Sequence, residues 1–164
     1  MALATPTPTA DIRLVFTQLP DGRLGVDYAL TPSGDLAFVT GINRLVQEVT
    51  RWLLTPRGNN PFDPTYGNAL FALIGRPAKQ DASVFIAMID QTQADLISRQ
   101  STEAAAGFLA LDEQIDHFEQ VTAQLQTGQG GGLQLGSVLL GFTVVSKGGA
   151  SKTLLIPFTL TVAA

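Results

Sequence analysis

An imidazole flanked by carboxylates is the grouping in this sequence with the residue types for acid–base chemistry. Asp112, Glu113, Asp116, His117 and Glu119 lie in one short stretch. A histidine beside a carboxylate can act as a general base, and two carboxylates facing one cleft are the apparatus of glycoside hydrolysis. From Ile115, however, the pattern reads as a strand. Asp116 then points to the side opposite His117, and only Glu119 shares its side. No motif places a nucleophile beside them. The reading is a surface histidine next to a solvated acidic run. Gly128-Gln-Gly-Gly-Gly132 has glycines enough to cradle a phosphate, but it lacks the Lys-Ser/Thr and following helix of a phosphate-binding loop. It reads as a link between strands.

Composition narrows the classes further. The 164 residues include no cysteine and a single histidine, which excludes disulfides, thiolate metal sites and a histidine metal cluster. Carboxylates at calcium-loop spacing are missing too, so neither metal nor cofactor is expected. A net charge of −4 with ten scattered Lys and Arg argues against binding to a phosphate backbone. Apolar runs stop short of the roughly 20 residues that span a bilayer. Met1-Ala-Leu-Ala-Thr-Pro-Thr-Pro-Thr9 lacks the basic and apolar regions of a secretory signal. A soluble, intracellularly made protein is expected, with neither nucleic acid nor membrane as partner. Hydrophobic residues at 45% suffice for a core, while charged residues at 15% fall below the usual quarter or so. So thin a charge coat suits either a surface that partners cover or a soluble monomer rich in Gly, Thr and Gln.

The expected architecture is an extended Thr-Pro arm over residues 1–10, then one α+β domain over 11–164. Residues 12–30 alternate as a hairpin around Pro20-Asp-Gly22. From Gly41 the period becomes helical, with Ile42, Leu45, Val46, Val49 and Leu53 on one face. Glu48 there can pair with Arg44 or Arg51 one turn away. Pro56 ends that helix. A short apolar helix over 68–74 closes at Gly75-Arg-Pro77. A longer one, capped by Asp81 or Ser83, buries Phe85, Met88, Ile89, Thr92 and Leu96 and continues through the Ala-rich 103–111 to near Asp112. Strands follow over 115–125, 135–145 and 153–162, forming a meander whose closing hairpin turns at Gly148-Gly149. Pro157 marks the last strand as an edge or a bulge.

Two stretches read as surfaces for docking. Residues 55–67, with Pro56, Gly58, Pro61, Pro64, Tyr66 and Gly67, form a stiff connector, too rich in turn chemistry for a floppy tail. The closing hairpin, residues 147–164, is expected to be separable from a folded core, and its edge either takes a partner strand or folds against the chain's own helices. Lys147, Lys152 and Phe158 are its interface candidates.

The ordered set Asp35-Leu36, Gly41, Leu45, Gln47, Thr55, Gly58, Pro64, Tyr66 and Gly67 resembles the phage baseplate wedge and sheath-initiator family of contractile tails. Relatives of that family occur in contractile injection systems and type VI secretion. Its pattern is an Asp-Leu strand end, a glycine, a Gln-bearing helix, Thr-x-x-Gly-Glu-Arg and then Pro-x-(Tyr/Phe)-Gly. The likeness covers residues 33–162. It departs where Asn59-Asn60 replace the Glu-Arg pair, so the connector should be held more weakly, by amides rather than ions. The missing acidic residue also counts against a lysozyme-like activity. The resemblance implies a non-enzymatic virion protein of the inner baseplate, present in multiple copies of a symmetric assembly. Its implied partners are the tail sheath protein, other wedge subunits and the tail tube, and its strands template the first sheath ring. The alternatives are another tail component (adaptor, terminator or tube-proximal protein) and a tail-associated peptidoglycan hydrolase using Glu113 or Glu119.

Overall fold

The computed structural model describes residues 10–18, 24–73, 82–127 and 135–161. The first nine residues of the arm, the turn at Pro20-Asp-Gly22, the helix closure at Gly75-Arg-Pro77, Asp81 and the link at Gly128–Gly132 lie outside them.

Short strands β1 (Asp11–Ile12), β2 (Leu14–Gln18), β3 (Leu24–Tyr28) and β4 (Phe38–Val39) come first. β2 and β3 pair as the expected hairpin, while β1 turns aside to pair with β4. Helix α1 (Gly41–Leu54) and a 3-10 turn (Leu70–Leu73) follow. Helix α2 (Ala82–Ala105) and a second 3-10 turn (Leu111–Glu113) lead into β5 (Ile115–Thr127), β6 (Leu135–Ser146) and β7 (Ser151–Thr161). The last three form an antiparallel sheet in the order β5-β6-β7. The class is α+β, as the pattern implies.

Alternation decides which face of this sheet is dry. Val138, Leu140, Phe142 and Val144 of β6 point inward with Ile156 and Phe158 of β7. Leu45, Val49 and Leu53 of α1 and Phe85, Ile89 and Leu96 of α2 pack on them. Burying each such side chain contributes about 1.5–3 kcal/mol. Because Ile156 and Phe158 belong to this core, residues 147–164 are not a separable appendage. Removing them would strip the cover from β6. The N-terminal hairpin is packed more thinly, leaving Val26, Tyr28, Leu30 and Phe38 more than half exposed.

Bulges keep β5 in phase. Its pairing with β6 slips between Glu119 and Thr122, where Gln120 takes a φ of 53°. The extra residue puts Phe118 and Val121 on the same inner side, although their spacing is odd.

The short helix expected over 68–74 is a 3-10 turn over Leu70–Leu73 among the described residues, and two further expectations about the helices need correction. α2 stops at Ala105 instead of running to Asp112, because Gly107 adopts a φ of 77°. The Gly107 and Phe108 amides then donate back to the Ala104 and Glu103 carbonyls, both at 3.0 Å, which closes the helix end. Glu48 also forms no ion pair among the described residues. Arg44 lies 3.7 Å from Glu113 and Arg51 3.3 Å from Asp11, while Glu48 accepts a hydrogen bond from Gln100 at 3.3 Å. Burial raises the Glu48 pKa. Among the described residues no helix is long and apolar enough to cross a membrane.

Candidate assembly interface

The connector is built by closing its two ends on each other. Asn68 N–H donates to Thr55 O at 3.0 Å, and Arg57 N–H donates to Asn68 O at 2.9 Å. Gly67 lies at the closure with a φ of 95°, and a Cβ placed there would sit 2.3 Å from Thr55 O. No other residue type fits. The Asn68 side chain donates to Trp52 O and Leu53 O at 3.1 and 2.9 Å, covering carbonyls that the end of α1 leaves open. Thr55 adds a hydroxyl bond to Arg51 O at 2.7 Å.

What holds the loop against the body is a cation. Arg99 of α2 pairs with Asp63 and lies 5.4 Å from the Tyr66 ring centre and 5.9 Å from that of Trp52. Tyr66 meets Trp52 edge-on, with centres 4.8 Å apart. Hydrogen bonds from Thr65 and then Arg99 lower the Asp63 pKa to about 2. The weakening expected from Asn59-Asn60 is therefore offset by a charge-assisted bond from another element. Asn60 keeps a local role, its carboxamide oxygen accepting Phe62 N–H at 3.0 Å. Gly58 and Pro64 are exposed, and Phe62 at the tip is 97% exposed.

Gln47 is buried and acts inside the chain. Its Oε1 accepts Leu14 N–H at 2.7 Å, and its Nε2 donates to Ile12 O at 2.7 Å and to Asp11 Oδ2 at 3.2 Å. One amide thus ties the N-terminal strands to α1. Of the residues expected on the closing hairpin, Phe158 faces inward, since its register position puts it beside Val138 on the dry side of the sheet. Lys147 and Lys152 are surface cations, reaching Gln114 Oε1 at 3.3 Å and Asn43 Oδ1 at 2.6 Å.

β7 is the edge that Pro157 implied, and among the described residues β6 alone pairs with it. A groove of about 550 Å3 runs beside it. Leu154, Leu155, Ile156 and Pro157 all line this groove, although successive residues of a strand face opposite sides. Only a groove along the strand's edge can touch all four. Val46 and Leu54 of α1 and Phe38 of β4 form the opposing walls. A second cleft, of about 530 Å3, lies between the N-terminal hairpin and the connector, between Val26, Arg51, Tyr66 and Arg99.

Three of the acid–base candidates meet, at His117, and Glu113 lies apart from them. His117 Nδ1 is 2.8 Å from Asp116 Oδ2 and Nε2 is 2.9 Å from Glu119 Oε1, so both carboxylates hold the ring. Asp116 was expected opposite His117; the register slip between Ile115 and His117 brings it within reach. The Glu119 bond, and then that of Asp116, raise the His117 pKa. Glu113, expected in a solvated run, is fully buried. Its carboxylate accepts Gly41 N–H at 3.2 Å and Ala110 N–H at 3.4 Å, serving as a remote cap for the start of α1. Neither groove is lined by Glu113 or Glu119. Among the described residues no group of His, Asp and Glu could hold a metal ion.

Arg99, Asp63 and the groove residue Arg13 had no sequence signal. Arg99 is one polar residue on a long helix, and its partner lies 36 positions away. A scan against protein-family models finds no match to this chain, and no curated protein matches it.

Proposed function

We propose that this protein is a structural subunit of a contractile tail baseplate, an inner wedge component that starts sheath assembly by adding strands of neighbouring subunits to its own sheet. One observation carries the reading: among the described residues β7 pairs with β6 alone, and its other edge borders a groove walled by apolar side chains of α1 and β4. An edge of this kind pairs through backbone groups, which supply adhesion, while alternate side chains supply register. The spacing from Thr55 through Gly58, Pro64 and Tyr66 to Gly67 supports the same reading. So does the connector, held rigid by Arg99 with Phe62 bare at its tip, which offers a second stiff contact.

Cross-linking of intact tail particles tests it. Lysine-reactive cross-linkers, read out by mass spectrometry, should join Lys147 or Lys152 to sheath subunits and other wedge subunits. Absence of this chain from purified tails, or cross-links confined to the distal tube or terminator, would overturn it.

A further inference from the structure

We propose that the groove beside β7 seats an extended, apolar segment of a neighbouring subunit that carries acidic side chains, joining the sheet as a fourth strand along residues 151–155. This deepens the assembly reading and rests on it only for which subunit supplies the segment.

The backbone sets the length of pairing. Ser146 N–H donates to Ala150 O at 2.8 Å, so these two form a hydrogen-bonded pair at the hairpin end. Antiparallel bonding then alternates along the register. Lys152, Leu154, Ile156 and Phe158 exchange bonds with β6, whereas Ser151, Thr153, Leu155 and Pro157 turn their backbone groups to the outer edge of the sheet, where Leu155 and Pro157 line the groove. The hydroxyls of Thr143 and Thr153 meet at 2.9 Å, as expected where side chains of a non-bonded pair approach closely. Pro157 therefore costs β6 nothing, because its missing N–H belongs to the outer edge. An added strand finds donors at Ser151, Thr153 and Leu155 and loses one at Pro157. The outer edge thus has a built-in stop.

The lining sets the chemistry. Leu54, Val46, Phe38 and Leu154 suit apolar side chains. Arg13 and Lys152 are the charged residues of the groove, and no carboxylate lines it among the described residues. In a protein of net charge −4, a groove whose charged lining among the described residues is Arg13 and Lys152 is complementary to an occupant with acidic side chains.

The test uses the full chain and a blocked synthetic peptide of alternating valine and threonine with an aspartate at each end. Its counterpart has lysine for aspartate. By fluorescence anisotropy at low salt, the aspartate peptide should bind at least about tenfold tighter and weaken as salt rises. It should shift the amide resonances of Ser151, Thr153 and Leu155. Leu155→Pro should abolish binding while leaving circular dichroism and Tm near wild type, since Pro157 already occupies an equivalent position. If that variant does not fold, the double charge reversal Arg13→Glu with Lys152→Glu decides, and should transfer the preference to the lysine peptide. Equal affinity for the two peptides, binding of neither, binding retained by Leu155→Pro, or no transfer of preference would overturn the proposal. So would self-association of the chain alone that Leu155→Pro removes, which would make a second copy the occupant. No tail component enters this assay, so its failure is distinguishable from failure of the cross-linking experiment.

Discussion

Gly67→Ala is the sharpest probe of the connector. The new Cβ would lie 2.3 Å from Thr55 O, where ordinary contact begins at 3.4 Å, so the closure must open by about 1 Å. That movement breaks the Asn68–Thr55 and Arg57–Asn68 backbone bonds, each contributing about 1 kcal/mol. It also loosens Tyr66 from Trp52, a contact contributing about 1 kcal/mol beyond its area. The left-handed conformation at a φ of 95° adds about 1–2 kcal/mol for any residue with a Cβ. Together these give a destabilisation of about 4–5 kcal/mol. Gly58→Ala is the control: its φ is 88°, yet nothing lies within 4 Å of its Cβ position, so only the backbone cost of about 1–2 kcal/mol applies. Urea denaturation of both variants measures the difference, which should be at least about 2 kcal/mol. Equal losses, or a Gly67→Ala protein as stable as wild type, would refute the idea that the loop is clamped at its ends.

Gln47→Leu leaves Leu14 N–H and Ile12 O without partners, so it should destabilise by about 2–4 kcal/mol. Hydrogen exchange should quicken at Leu14 while Phe142 stays protected; equal change at both sites would argue against a local tie. Asp63 titrates at about 2 in the folded chain, below its ordinary 3.8. Its contribution is complete above the unfolded value and fades as pH falls from about 4 to about 2. Asp63→Asn should flatten that acid limb of the denaturation midpoint, and an unchanged limb would count against the clasp. His117 has the opposite sign: with its pKa raised above 6.5, its contribution is complete below 6.5 and lost as pH rises through the folded value. The lone histidine gives one proton-NMR titration, whose midpoint should drop in Glu119→Gln.

The Ala-rich run after α2 shows where local reading stopped. Alanine favours helix, but Gly107 ended it by a bonding pattern that only a positive φ allows. Asp116 and Glu113 show the same limit for the acidic run. One was displaced by a bulge, and the other was drawn into the interior to cap a helix whose own Thr40 makes no side-chain bond.

Repeat periods along the chain were enough to place α1, the body of α2 and the meander, and glycine and proline chemistry placed its Gly149 turn and the edge status of the Pro157 strand. These depend on geometry within a few residues, where side-chain direction follows backbone type. Tertiary structure alone decided that Gln47 bonds Leu14 across 33 positions, that Glu113 serves Gly41 across 72, and that Arg99 restrains the connector through Asp63. It alone brought α1 and β4 beside β7 to make a groove. Polar partners so far apart meet only after apolar faces have packed, and a linear pattern carries no term for which distant group will be waiting there.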